Sequence, residues 1–174
     1  MLLKIGNKIN ITICGMMGSG KSSIGKLIAK KINYNFIDTD ILIEKKENKS
    51  INQIFAENGE EYFRALEKKI TLNYLNNKKT IISLGGGAIL NKDIRLAIKL
   101  NSFNIYLKSN KFVLKKRLES SKSRPLLKNV ILDEKLDELL NQREKFYNNA
   151  DLIINNDKKI NNTINEILKF ISYK

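Results

Sequence analysis

Histidine and tryptophan are absent from this sequence, and cysteine and proline occur once each. Without histidine there is no imidazole acid–base chemistry and no histidine-containing metal site. The single thiol, Cys14, cannot form an internal disulfide, so a reducing cytoplasm is the expected compartment. No apolar run approaches the roughly 20 residues that cross a bilayer, and no membrane partner is expected. The opening stretch 1–14 is broken by Lys4 and Lys8 and carries no small-residue cleavage site, so no export signal is expected either. At 174 residues the chain has the length of one domain, and a monomer is expected.

Acidic residues are also scarce: 18 Asp and Glu face 32 Lys and Arg, giving a net charge of +14. The excess consists of 27 lysines scattered along the whole length, beside only 5 arginines. A nucleic-acid surface would cluster Arg and Lys with interleaved aromatics, so the lysines read as solvated helix faces and no nucleic-acid partner is expected. Arginine differs from lysine in its planar fork, which grips carboxylate or phosphate through paired bonds. That singles out Arg64, Arg95, Arg117, Arg124 and Arg143.

Apolar runs of strand length alternate with amphipathic helical stretches. Strands are expected at Asn10–Cys14, Asn35–Asp38, Thr80–Leu84, Phe103–Leu107 and Leu152–Ile154. Helices are expected to about Ile32, between about Ile41 and Asn76 with breaks at Lys49–Ser50 and Asn58–Gly59, and over Lys92–Leu100, Lys111–Ser120, Asp133–Asn149 and Lys159–Ile171. The stretch Ser121–Val130 holds the only proline, has no periodicity and reads as a mobile loop. Alternating strands and helices imply an α/β fold: three α-β-α layers around a mostly parallel, five-stranded sheet, with ligands at the carboxyl ends of the strands.

Gly15-Met16-Met17-Gly18-Ser19-Gly20-Lys21-Ser22 fits the phosphate-loop pattern G-x-x-x-x-G-K-[ST], with a strand before it and a helix after it. Successive backbone N–H groups of such a loop point at phosphate oxygens, and the helix N-terminus adds its positive dipole end. The expected contacts to ATP are Gly18, Ser19, Gly20, Lys21, Ser22 and Ser23. Lys21 would reach the β- and γ-phosphates, and Ser22 would ligate Mg²⁺. Asp38-Thr39-Asp40 follows at the end of the second strand, where a period of two would put both acids on one side. Asp38 would hold the metal, while Asp40 would accept a hydrogen bond, and a proton, from the acceptor hydroxyl. An isolated pair of this kind is more often a solvated turn; the phosphate loop beside it favours function.

The segment Phe55–Glu67 resembles the F-x-x-x-G-E-x-x-F-R-x-x-E signature of the shikimate kinase family. Arg64 and Glu67, three apart on a helix, share a face, and a held arginine suits a substrate carboxylate. Gly85-Gly86-Gly87 is similar to that family's triple glycine, and Arg124-Pro125-Leu126-Leu127 to the R-P-L-L of its lid. Arg117 and Arg143 fall on two further motif positions. The resemblance runs from the first strand to Asp151 and implies one kinase domain over 1–174, with a substrate-binding helical insert at about 39–76 and a lid at about 117–130. It implies that shikimate is held by Asp40, Phe55, Phe63, Arg64, Gly85, Gly86, Gly87 and Arg143. It also implies that Arg117 packs against adenine and that Arg124, with Lys21, stabilises the transferring phosphoryl group. The expected reaction is phosphorylation of the 3-hydroxyl of shikimate; the alternative is another small acceptor, such as gluconate or a nucleoside monophosphate. Two departures concern the adenine side. No proline follows the last strand over Ile154–Lys159, and one residue fewer separates Tyr147 from Ala150. Lys158 or Lys159 is the expected substitute for the missing wall.

Overall fold

A computed structural model describes residues 5–119 and 131–172. Five strands, β1 (Asn10–Cys14), β2 (Asn35–Asp38), β3 (Thr80–Ser83), β4 (Ser102–Lys108) and β5 (Leu152–Asn155), form one sheet in the order β2-β3-β1-β4-β5. Every pairing is parallel, with Ile13 opposite Ser83 on one side and Ile105 on the other. The helices are α1 (Lys21–Ile32), α2 (Thr39–Glu47), α3 (Ile51–Tyr74), α4 (Lys92–Asn101), α5 (Lys111–Glu119), α6 (Leu132–Tyr147) and α7 (Ile160–Ile171). A single 3₁₀ turn, Ala88–Leu90, which the sequence pattern did not indicate, precedes α4.

The two faces of the sheet follow from the alternation of side chains along each strand. Ile11, Ile13, Ile81, Ile105 and Leu107 pack with Ile24, Ile28, Ile164 and Ile167 of α1 and α7. The intervening residues Cys14, Ile82 and Tyr106 pack on the opposite face with Ile94, Leu136, Leu139 and Tyr147. Polar residues inside the sheet are paired: Asn10 Nδ2 donates to the Leu75 carbonyl at 2.7 Å, and the Ser102 hydroxyl donates to Asn10 Oδ1. A third, smaller cluster of Ile43, Ile54, Phe63, Leu66 and Ile70 holds α2 against α3 beyond the sheet edge.

The long helical region breaks at both expected places. Asn48 closes α2 in the left-handed conformation, and Ser50 opens α3 with a reciprocal capping box to Gln53, an arrangement worth about 1 kcal/mol. Inside α3, Gly59 has φ 82° and ψ 172°, which kinks the helix between Phe55 and Phe63. The sheet order matters for function. The chain runs outward from β1 to β2 on one side and crosses from β3 to β4 on the other, so a crevice opens beyond the carboxyl end of β1. Among the described residues no helix is long and apolar enough to cross a membrane.

Candidate active site

Two hollows open at that crevice and share Ser22. The first, about 350 Å³, is lined by Asp38 and Asp40 from β2 and α2, Phe55, Phe63, Arg64 and Glu67 from α3, Gly86 and Gly87 after β3, and Arg143 from α6. All the expected acceptor-binding side chains therefore converge on one cavity of small-molecule size. Gly85 lies beneath it: a Cβ there would stand 2.7 Å from Asp40 Oδ1 and 2.5 Å from Glu67 Oε1. At Gly87 a Cβ would stand 2.7 Å from Arg64 Cζ. The triple glycine thus lets two carboxylates and a guanidinium press against bare backbone; a side chain at Gly85 or Gly87 would make them shift.

Arg64 is held from both sides. Its Nη1 donates to Glu67 Oε2 at 2.7 Å, and its Nε and Nη2 donate to Glu60 Oε1 at 3.2 and 3.0 Å. Burial of Glu67 pushes its carboxyl above the usual range, with the Arg64 charge opposing that shift and the Asp40 carboxylate reinforcing it. Burial opposes the charge on Arg64, yet its two glutamates outweigh it and raise the guanidinium further. Phe55 and Phe63 meet at 4.8 Å between ring centroids and wall one side.

Arg143 is buried to 2% exposure, and its Nε and Nη1 have no hydrogen-bond partner among the described residues. Leaving two buried guanidinium donors without acceptors is costly, a cost that an anion in the cavity would offset. One turn further along α6, the Tyr147 hydroxyl donates to the Gly86 carbonyl at 2.5 Å, tying that helix to the glycine segment. The spacing of Tyr147 from Arg143 was visible in the sequence, but this tie was not. Met17, at a variable position of the phosphate loop, and Ile41 and Ile51, which belong to no motif, also line the cavity.

The acids at the end of β2 correct one expectation. Asp38 and Asp40 do face the same cavity, but not through strand alternation. Asp38 ends the strand and caps α2, its Oδ1 accepting from the backbone N–H groups of Asp40 (3.0 Å) and Ile41 (3.4 Å), and Asp40 lies in the first helical turn. The other oxygen of Asp38, Oδ2, accepts from the Ser22 hydroxyl at 2.5 Å. Buried Thr39 fixes this corner: its hydroxyl donates to the Ser83 carbonyl and accepts from the Gly85 N–H.

The second hollow, about 410 Å³, is lined by Gly18, Gly20, Lys21, Ser22 and Ser23 of the phosphate loop, Arg117 of α5, and Asn156, Lys158 and Ile160 after β5. Ser19 is fully buried behind it, and its hydroxyl has no hydrogen-bond partner among the described residues. Lys21 Nζ donates to the Gly15 and Met16 carbonyls at 3.0 and 2.9 Å, folded back over its own loop. Arg117 donates to the Gly18 carbonyl at 3.3 Å and the Asn156 carbonyl at 2.9 Å. Of the two lysines expected to replace the missing proline, Lys158 lines this hollow, paired with Glu166. Arg124 lies outside the described residues, as does the expected loop Ser121–Val130. Cys14 is buried beneath the phosphate loop, and burial pushes its thiol up to about 12, so it offers no thiolate nucleophile.

Comparison with known proteins agrees with this geometry. The family profile described as shikimate kinase matches residues 17–172. A shikimate kinase of Rippkaea orientalis is 41% identical over 170 residues, spanning 97% of this chain and 90% of the relative. One from Caldanaerobacter subterraneus subsp. tengcongensis is 38% identical over 161 residues, spanning 92% and 94%. Among solved structures, the shikimate kinase from Acinetobacter baumannii in complex with shikimate superposes with a TM-score of 0.89 at 30% identity, covering 93% of this chain and 92% of that one. A gluconokinase from Sinorhizobium meliloti, at 16% identity and a TM-score of 0.61, shares the fold alone. The chain belongs to the shikimate kinase family.

Proposed function

We propose that this chain transfers the γ-phosphate of ATP to the 3-hydroxyl of shikimate, with the acceptor in the cavity of Asp40, Arg64 and Arg143 and the nucleotide along the phosphate loop. One observation carries the assignment of sites: the buried, unpaired donors of Arg143 border the same cavity as Arg64 and Asp40, one residue, Ser22, away from the phosphate cradle. Two guanidiniums suit a carboxylate, and Phe55 and Phe63 suit the face of a six-membered ring. The relative from Acinetobacter baumannii, solved with shikimate, supports this choice of acceptor.

Arg64 and Arg143 hold the carboxylate and so fix the far end of the ring. Asp40 accepts a hydrogen bond from the 3-hydroxyl and takes its proton as the oxygen–phosphorus bond forms and the bond to the β-phosphate bridging oxygen breaks, releasing ADP. Lys21 swings from its loop carbonyls to the phosphate oxygens and neutralises developing charge, a role that Arg124 shares. Catalysis of this kind is chiefly positioning and charge neutralisation. The Ser22 hydroxyl and the Asp38 carboxylate are hard oxygen donors 2.5 Å apart, a pair that fits Mg²⁺ completed by phosphate oxygens and water. When bound, the ion would neutralise charge on the β- and γ-phosphates. Arg117, anchored through Gly18 and Asn156, would present its planar face to the base. The working unit in this reading is a monomer, and the need for ATP supports a cytoplasmic setting.

The test is ADP formation with shikimate, gluconate and nucleoside monophosphates supplied separately. Turnover confined to shikimate is expected. Turnover with gluconate or a nucleotide but not with shikimate would overturn the assignment.

A further inference from the structure

Asn156 follows the last strand and belongs to no motif in the sequence, yet it is 4% exposed and every polar group of its side chain is engaged. Its Nδ2 donates to the Ser19 carbonyl at 2.7 Å, and its Oδ1 accepts from the Thr163 hydroxyl at 2.7 Å. The orientation of the amide is unambiguous, because a backbone carbonyl only accepts and must therefore face the nitrogen. On the main chain, the Asn156 carbonyl accepts from Arg117 Nη2 at 2.9 Å, and its N–H donates to the Lys108 carbonyl at 2.7 Å. A Cβ at Gly20 would stand 2.9 Å from Asn156 Nδ2, and Gly20 itself has φ 90°, so the loop closes tightly onto this amide.

We infer that Asn156 is a positioning residue for the nucleotide, latching the phosphate loop, the guanidinium of Arg117 and the N-terminal turn of α7 into one rigid frame. Its side chain sets where the Ser19–Gly20 peptide lies, and hence where the N–H groups that open α1 point. Its carbonyl sets where Arg117 lies. The phosphate end and the far end of the nucleotide hollow are thereby held at a fixed separation. Such a frame compensates for a last loop that has no proline. The hydrogen bonds of Asn156 among the described residues go to Ser19, Lys108, Ser109, Arg117 and Thr163, none of which lines the acceptor cavity, so its effect falls on the nucleotide. The inference rests on the nucleotide reading of the second hollow.

Asn156→Asp retains shape and the acceptor for Thr163 but turns the donor facing Ser19 into a second acceptor. It is expected to raise the KM for ATP and the Kd for ADP about tenfold, leaving the KM for shikimate within about twofold. Thr163→Val, which introduces no charge, frees the oxygen side of the latch and separates loss of positioning from repulsion of the phosphates. A rise in the ATP KM of several-fold is expected there, with Thr163→Ser returning close to wild type. Should Asn156→Asp not fold, the Thr163 pair decides by the same readouts. The inference is overturned if wild-type protein binds ADP and the Thr163→Val variant binds it equally well. It is also overturned if the two KM values rise together. Failure of the wild-type chain to bind ADP at all would overturn the nucleotide reading along with it.

Discussion

The acceptor cavity draws acidic and arginine side chains from three helices, whereas the nucleotide hollow sets glycine and serine at the start of α1 beside Lys21, Arg117 and Lys158. In the first, recognition depends on side chains reaching a common point: Arg64 is clamped by Glu60 and Glu67, and Arg143 is buried without a full set of partners. In the second, the backbone of the glycine-rich loop forms part of the wall, and the Asn156 side chain is bonded to it at Ser19. A small acceptor of fixed shape needs charges of the right sign at fixed places. A triphosphate offers many equivalent oxygens, and backbone N–H groups can serve them all. Substitutions in the acceptor cavity should therefore act on the acceptor selectively, and those that move the loop should act on nucleotide binding.

The sharpest break in that division is Lys21, the one loop side chain that carries charge to the transferring group. Lys21→Met is expected to lower kcat by a factor on the order of 100 to 1,000, measured at saturating concentrations of both substrates. Next comes Arg143→Met. It removes a buried contact to the acceptor and should raise the shikimate KM by roughly thirtyfold or more, about 2–5 kcal/mol. Because two buried donors of Arg143 have no acceptor among the described residues, the Tm without substrate should hold or rise in that variant. A fall in Tm with unchanged KM would make Arg143 a structural residue. Arg64→Ala, on a more exposed guanidinium, should raise the shikimate KM about tenfold and spare the ATP KM. A normal shikimate KM in that variant would remove Arg64 from the carboxylate site.

The smallest effect concerns pH. Burial raises the Glu67 carboxyl, so as pH falls it takes up a proton before an ordinary glutamate would and loosens its grip on Arg64. The shikimate KM should therefore climb on the acid side earlier than the titration of the substrate carboxylate alone requires. In Glu67→Gln that early limb should vanish, with the ATP profile unchanged. The effect on stability has the opposite sign. A carboxyl raised in the folded state binds its proton more tightly there, so Glu67 supports folding most fully below its unfolded pKa. That support is lost as pH rises through the folded value. Thermal unfolding of wild type and Glu67→Gln across the acidic range measures this difference.

The sheet and its helices were legible because the alternation of apolar residues changes period from two to about 3.6 between segments, and strand ends fell within two residues of the pattern. The break at Gly59 was legible from residue type, since few side chains tolerate φ 82°. Asp38 and Asp40 were legible as a pair but not in their geometry: a capped helix start and a strand end are both written as D-x-D. The 3₁₀ turn at Ala88–Leu90 left no periodic trace, being a single turn.

By itself the sequence determined the kinds of chemistry available: a phosphate loop from its glycines and Lys21, acids beyond β2, and a few arginines among many lysines. It also determined the layers, because local periodicity is carried by neighbouring residues. Only the tertiary structure decided which groups meet. Asp40, Arg64 and Arg143 are separated by up to 103 positions in the chain and converge through strand order. Asn156 gains its place only when β5 lies beside β4 and its amide meets Ser19, 137 positions away. The physical reason is that pattern encodes which face of an element is apolar, whereas contact between distant polar groups depends on how all the elements pack at once.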